Sequence, residues 1–522
     1  MKPAWEMMAT VPPTQPLTIA DLLAHSVEEF GSADYLITPT DRMSYLEAQQ
    51  RSALAARWLL RIGIGKGSRV GLFFPNGTEW VTWWLAVSRI GAVVVPLSTM
   101  YTPTEIAKVL RLADIGLLIA PSRVLTIDVA ERLEATLPEL AAQSAATLQL
   151  AAAPYLRAIA ITGSELPAWG TRVRFDEVVP AEVLAAAEAQ VSPADLAVMI
   201  HTSGSTADPK GVLHTQGTLV RQTSTWPAAV RAITGCAESR ILCAMPFFWV
   251  GGLLAAMGAL HERVTLLALP KLDAEAALDL IEVHRATGLV GWPAFTQRLR
   301  EHPSFGSRDL SSVPMLTDGP LDLAMVNVPD GFPVHRTMSE TAGGFVHTDM
   351  VIVDDEGTPV ATGETGELWV RGIGVMSGYN KRERHEVFDE NGWYHTGDRV
   401  YRRDGDPRLF YVGRSTELIK AAGANVSPLE VEGVIADFAD VAQCVVIGVE
   451  DEERGEQVCA VLVPAGGELD VAQVAARARE QLSGYKVPTR WVVVGADAIP
   501  VLASGKFDRK GLRRMVSEGA LG

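Results

Sequence analysis

His201-Thr202-Ser203-Gly204-Ser205-Thr206-Ala207-Asp208-Pro209-Lys210-Gly211-Val212 lies between the apolar run Leu196–Ile200 and the apolar pair Val212-Leu213. Small hydroxyl residues and glycine leave backbone N–H groups open to a ligand, and a mobile lysine neutralises negative charge. A loop of that chemistry, held between two apolar runs, can wrap phosphates. It is not a Walker loop, because no glycine precedes the lysine in the required frame. An ordinary polar turn is the competing reading, since Ser, Thr and Gly clusters are common in loops.

Upstream of this loop the pattern alternates between helix and strand. Ser44-Tyr45-Leu46-Glu47 carries a capping-box signature, and Leu46, Leu54 and Trp58 then fall on one predicted face before Gly63 and Gly65. Strands are expected over Val70–Phe74, Val93–Leu97 and Gly116–Ala120, and a helix over Thr78–Ile90. Thr102-Pro103-Thr104-Glu105 opens a further helix with a cap and a proline in its first turn. The Ala-rich stretch Ala135–Ala153 reads as helical surface. Strands alternating with helices imply a parallel sheet covered on both faces.

Downstream, Glu364–Tyr411 is rich in glycine and β-formers and predicts a small sheet or barrel. From about residue 414 a compact α+β unit follows, with elements at Pro428–Ala436, Ala442–Val449, Val458–Val463, Val471–Leu482 and Trp491–Val494. The chain therefore divides into a loose tail (1–16), a large N-terminal domain (17–413) and a small C-terminal domain (414–522).

Bulk composition narrows the function. Among 522 residues, 46 are basic and 62 acidic, a formal net charge of −16 that disfavours sequence-independent nucleic-acid binding. Cys236, Cys243, Cys444 and Cys459 form no CxxC pair and suit reduced thiols in a cytoplasmic protein. Ile241–Leu260 lacks charge over the length of a membrane span, but Pro246 and Gly251-Gly252 interrupt it. It reads as a strand (Ile241–Met245), a loop (Pro246–Gly252) and a buried helix. Peripheral membrane contact and a homo-oligomer are left open. Gly372 to Gly378 has the wrong spacing for a dinucleotide fingerprint, and no serine-hydrolase elbow is present.

Five further segments share an order with the opening loop. They are Pro246-Phe247-Phe248-Trp249-Val250-Gly251-Gly252, Gly366-Glu367-Leu368-Trp369-Val370-Arg371-Gly372 and Trp393-Tyr394-His395-Thr396-Gly397-Asp398. The fourth runs from Gly413-Arg414 through Ile419-Lys420 and Gly423 to Pro428 and Glu430, and the last from Pro500 through Gly505-Lys506 to Arg509. Together they resemble the adenylate-forming superfamily, which includes acyl-CoA synthetases, adenylation domains of peptide synthetases and firefly luciferase. The resemblance spans about Leu17 to Leu512.

The resemblance implies a large domain of layered α/β sheets with a small barrel-like part, followed by a small mobile α+β domain. It also implies an ATP-dependent acid–CoA ligase, with a carboxylic acid, ATP, Mg²⁺ and CoA as its small-molecule partners. Thr202, Ser203, Gly204, Ser205, Thr206 and Lys210 would hold phosphates, with Ser339 near the α-phosphate and Glu340 on Mg²⁺. Asp398 would take the ribose hydroxyls, assisted by Arg414. Lys506 would stabilise the charge that develops during adenylation, making it, with Lys210, Thr206 and Glu340, the catalytic set. Thr416 would be the hinge, Lys420 and Gly423 would serve the thioester step, and Phe247, Trp249, Gly251, Gly343, Gly344 and Phe345 would surround an apolar acid. Glu430 matches a family position, yet Ser427-Pro428-Leu429-Glu430 is also a capping box, which favours a structural role.

Departures from the family pattern are specific. Arg336 stands where an adenine-packing tyrosine is usual, and Thr317-Asp318-Gly319-Pro320 replaces a Gly-Gly-Ala-Pro segment. Ala207 and Trp249 replace a glycine and a histidine, and Thr416 replaces Asp or Lys. Loading of a carrier protein and a catalytically weakened nucleotide-binding homologue are the alternative readings.

Overall fold

The computed structural model of the chain describes residues 16–522 apart from 146–147, 164, 203–208, 237, 292, 319–347, 415–417, 422–423, 452–454, 468, 496–497, 501–506 and 522. Four apolar strands, Arg69–Leu72, Val93–Pro96, Leu117–Pro121 and Ala158–Thr162, form the parallel heart of an eight-stranded sheet. Leu196–Thr202 joins Val93–Pro96 in parallel, and Lys210–Thr215 returns antiparallel beside it. Gly378–Tyr379 closes that edge and Thr171–Arg172 the other. A second sheet stacks five strands in the order Gly288–Val290, Ser239–Cys243, Val264–Ala268, Asp34–Ile37 and Arg42–Ser44.

Helices fill the space between and outside these sheets. Tyr45–Arg61 starts at a complete capping box, Ser44 with Glu47, and Pro103–Leu112 at another, Thr102 with Glu105. Thr78–Arg89 is buried along almost its whole length and brings Trp80 and Trp84 into a stacked pair at 5.8 Å. Such aromatic pairs add about 0.5–1.5 kcal/mol beyond the area they bury. Tyr45 sends its hydroxyl across the layer to the carbonyls of Ala259 and Val264, fixing the helix to the second sheet. The two faces of the large sheet carry separate apolar clusters, so this sheet is a packed middle layer.

Residues 349–414 make a four-stranded antiparallel sheet of Asp349–Val353, Gly366–Arg371, Tyr394–Arg403 and Asp406–Arg414. Among the described residues its four strands follow one another without closing into a barrel. From Ile419 the chain enters a different five-stranded sheet (419–421, 424–426, 441–451, 455–464 and 490–493) with its own two apolar clusters. The overall class is therefore α/β, large N-terminal layers followed by a small C-terminal α+β unit.

Three expectations need correction. Trp58 is buried as expected, but Leu46 is exposed and Leu54 only half-buried; with Trp58, the residues that meet the core are Tyr45, Ala48, Ser52, Ala55, Ala56 and Leu59. Tyr45, bonded across to the second sheet, anchors the start of this stripe and leaves its neighbour Leu46 facing outward. The Ala-rich stretch is helical only at its start (Val129–Thr136, then a 3₁₀ turn at Pro138–Ala142); Leu148, Leu150 and Ala153 beyond it are buried in the core. Pro138 ends the helix there, and the apolar residues past it are needed to cover the sheet. The uncharged run 241–260 divides into strand Ser239–Cys243 and helix Val250–His261, which begins inside the expected loop. Among the described residues no helix is long and apolar enough to cross a membrane. The four cysteines are unpaired, three of them buried.

Candidate active site

Thr202 ends one strand of the large sheet and Lys210 begins the next, and the two are register partners across the hairpin. The ends of the phosphate-type loop are thereby held at a sheet edge beside a cavity of about 780 Å³. The loop's own Ser203, Gly204, Ser205 and Thr206 lie outside the described residues. Lys210 Nζ sits 5.2 Å over the ring of Tyr379, whose hydroxyl is 2.7 Å from that of Tyr394. An aromatic face attracts and positions an ammonium at the mouth of the loop.

A second wall comes from the segment after Cys243. Asn76 clamps it, donating to the Met245 carbonyl at 3.0 Å and accepting from the Phe247 N–H at 2.7 Å. Phe247 is thereby turned inward onto Trp80, at 5.3 Å between rings, and is fully buried. Its expected place in the acyl pocket is not what the structure gives. Met245, Trp249, Val250 and Gly251 line the cavity instead. Trp249 stands at the N-cap position of helix Val250–His261 and faces Tyr485 of the C-terminal unit at 6.1 Å, edge to face.

The Tyr394–Arg403 strand supplies the third wall through His395, Thr396 and Gly397. Glu367 accepts the Gly397 N–H at 2.8 Å, and Thr396 donates to the Leu368 carbonyl at 2.7 Å while accepting from the Asp398 N–H at 3.0 Å. Gly397 has φ +73°, a left-handed turn that glycine adopts without strain. This clamp sets Asp398 as the register partner of Arg414, so the two residues assigned jointly to the ribose share one rung.

The C-terminal unit completes the enclosure. Leu418, Ala424 and Asn425, which flank the Lys420 hairpin, line the same cavity as Thr202 and Lys210. The Lys420 N–H donates to Glu456 at 2.7 Å, holding that hairpin to its sheet. Gly423, Thr416, Arg336, Ser339, Glu340, Gly343, Gly344, Phe345 and Lys506 lie outside the described residues. The Mg²⁺ assignment to Glu340 falls there too, and among the described residues no group of three or more His, Cys, Asp or Glu could hold a metal.

Sequence reasoning missed a charged cluster beside Trp249. Lys486 Nζ lies 2.7 Å from Glu105 and 2.8 Å from Glu430, with all three side chains at least nine-tenths buried. Glu105 also accepts from Ser483 Oγ at 2.6 Å and from Thr102 N–H at 2.9 Å. Burial alone would raise the Glu105 carboxyl, but the Lys486 ammonium and these donors hold it below its ordinary value. Burial, with Glu105 and Glu430 nearby, pushes the Tyr485 hydroxyl up to about 12 despite Lys486. Glu430 does help cap its helix, since Ser427 Oγ accepts its N–H, but its carboxylate turns to Lys486. Glu105 was legible only as a capping residue, and nothing local marks Lys486, 381 positions away.

Comparisons agree with this geometry. The AMP-binding enzyme family matches residues 23–327 and 323–380, and the AMP-binding enzyme C-terminal domain matches 430–506. A 3-(7a-methyl-1,5-dioxo-octahydro-1H-inden-4-yl)propanoyl:CoA ligase of Mycobacterium tuberculosis is 32% identical, covering 95% of this chain and 99% of the relative. A feruloyl-CoA synthase of Amycolatopsis is 31% identical over 90% of this chain and 94% of its own length. The amide bond synthetase McbA of Marinactinospora thermotolerans superposes with TM-score 0.75 at 25% identity, covering 95% of this chain and 99% of that structure. A phosphate-type hairpin, an apolar gate and a C-terminal hairpin around one cavity, with these full-length likenesses, place the chain among the AMP-binding, adenylate-forming enzymes, as an acid–CoA ligase.

Proposed function

We propose that the protein joins an apolar, ring-bearing carboxylic acid to CoA in two steps within this one cavity. In the first, a carboxylate oxygen attacks the α-phosphorus of ATP, supplied as its Mg²⁺ complex; the bond to the β-phosphate oxygen breaks and pyrophosphate leaves. Both reactants are anionic, so the step depends on positioning and charge neutralisation. Lys210 and the hydroxyls of Thr202 to Thr206 serve the departing phosphates, Asp398 with Arg414 the ribose, and Lys506 the oxygens of the reacting centre. In the second step the CoA thiolate attacks the acyl carbon, a C–S bond forms, and AMP leaves with the electron pair of the broken C–O bond. Between the steps the C-terminal domain turns about Thr416, between the sheet ending at Arg414 and the one beginning at Ile419.

One observation carries this reading: Thr202 and Lys210, Trp249 and Gly251, and Leu418, Ala424 and Asn425 line a single cavity. That the flanks of the Lys420 hairpin border this cavity supports the thioester-forming arrangement. The apolar wall of Met245, Val250, Trp249 and Met376 fits a hydrophobic acid. Relatives named for an indenyl propanoate, ferulate and indoleacetate support ring-bearing acids.

The test is a panel of ring-bearing and straight-chain acids with ATP, with and without CoA, read by pyrophosphate release and mass spectrometry. Acid-dependent pyrophosphate release, with a CoA thioester favouring ring-bearing acids, is expected; no release with any acid overturns the reading. Lys506→Ala is expected to stop adenylate formation while sparing thioester formation from supplied acyl-adenylate. Equal loss in both steps would refute the two-face mechanism.

A further inference from the structure

The buried Glu105–Lys486–Glu430 cluster joins two parts of the chain that the reaction is proposed to move apart. Glu105 belongs to the N-terminal helix Pro103–Leu112, whereas Lys486 and Glu430 belong to the C-terminal unit. Ser483 Oγ to Glu105 and Thr102 Oγ1 to the Gln481 carbonyl, at 3.2 Å, cross the same boundary. All these bonds lie beside the cavity, whose lining includes Tyr101, Glu105, Glu430, Tyr485 and Lys486.

The cluster is asymmetric in a way that suits a reversible contact. An isolated buried ion is costly, and breaking a buried pair leaves one. Here separation leaves neither partner bare. Lys486 would keep Glu430, 2.8 Å away within its own domain. Glu105 would keep the Thr102 N–H and hydroxyl, at 2.9 and 3.1 Å, as the carboxylate of its capping box. The inter-domain bonds can therefore break and re-form without stranding a charge.

We propose that Glu105 and Lys486 form a latch that holds the C-terminal domain with its Lys420 hairpin against the cavity, so that Lys486 is a positioning residue for thioester formation. The latch also seats Tyr485 edge to face on Trp249, 6.1 Å away, coupling domain position to the acyl gate. This proposal rests on the two-step ligase reading above.

Glu105→Gln is the test variant, because it leaves the Lys486–Glu430 pair intact within its domain. The first measurement is hydrogen–deuterium exchange of the full-length protein without substrate. Faster exchange over 102–106 and 481–488, with the strand 455–464 unchanged, is expected; no change in those segments overturns the latch whatever the enzyme acylates. The second is the separated half-reactions. Thioester formation from supplied acyl-adenylate should fall about tenfold, a typical coupling magnitude, while adenylate formation stays within about twofold. Lys486→Arg should retain more of the thioester step than Lys486→Met. Equal loss of both half-reactions, or loss of neither, overturns the positioning role. Failure of the unaltered enzyme to make any thioester would refute the ligase reading, and with it that role, while the exchange result still decides the latch.

Discussion

Trp249 links acid selection to domain position, because its indole lines the cavity and also meets Tyr485 across the domain boundary. Trp249→Ala removes the bulk of the gate and an aromatic pair worth about 0.5–1.5 kcal/mol, or roughly two- to tenfold. The expected outcome is a rise of that order in KM for the preferred acid and a shift of preference toward bulkier acids, read as kcat/KM across the acid panel. Unchanged selectivity would remove Trp249 from the acyl wall. Single residues varied in how far the sequence revealed them. Thr202 and Lys210 were legible because a hairpin between apolar runs fixes its own ends. Phe247 and Trp249 were not separable, since Asn76, 171 positions upstream of Phe247, decides which ring turns inward. Glu105 and Lys486 acquire meaning only when the fold brings them to 2.7 Å.

At the scale of elements, helix Val250–His261 starts where two glycines meet a turn, and each has a different reason to be glycine. A Cβ on Gly252 would stand 2.1 Å from the Pro246 carbonyl oxygen and 2.8 Å from that of Met245, both backbone atoms that cannot step aside. A Cβ on Gly251 would be crowded by the Met245 Cε tip, at 2.5 Å, and a methionine end can rotate away. Gly252→Ala is therefore expected to cost about 1–3 kcal/mol, seen as a lower melting temperature and a damaged cavity. Gly251→Ala should melt near the parent temperature but disfavour the bulkiest acids, because Met245 is pressed into the cavity it lines. Thermal scans and the acid panel check both; equal destabilisation would refute the distinction. Most elements could be read in advance where caps and periodicity agreed, as at Thr102–Glu105 and at Pro428–Ala436. Sequence periodicity placed Trp58 on the core side of Tyr45–Arg61 but misplaced Leu46, because Tyr45 beside it turns inward to bond to carbonyls over two hundred residues later. It also misread 135–153, where alanine content suggests helix but the demand to cover the large sheet prevails.

For the whole molecule, folding couples to pH through imidazoles enclosed in or beside the large sheet. Burial depresses His201, His214 and His261, each from 6.5 to about 4. His201 and His214 lie on adjacent strands, each with Nδ1 buried and without a hydrogen-bond partner among the described residues, while His261 Nε2 is 2.9 Å from Thr223 Oγ1. In the unfolded chain each ring takes a proton near 6.5, but in the folded chain it stays neutral until about 4. Between those values the unfolded state binds more protons, so stability falls as pH falls, by at most about 1.4 kcal/mol per pH unit for each histidine. All three rings are depressed to about the same value, so their contributions are similar in size. Glu79, whose carboxyl burial raises, acts in the opposite sense and softens the lower end of the window. The melting temperature should therefore be level from about pH 7.5 to 6.5 and fall steadily toward pH 5. His214→Gln, which removes one titrating ring from the strand pair, should flatten that slope even if it lowers the melting temperature at pH 7.5. A melting temperature independent of pH between 7 and 5, or a slope unchanged in His214→Gln, would mean that these rings take up protons in the folded chain.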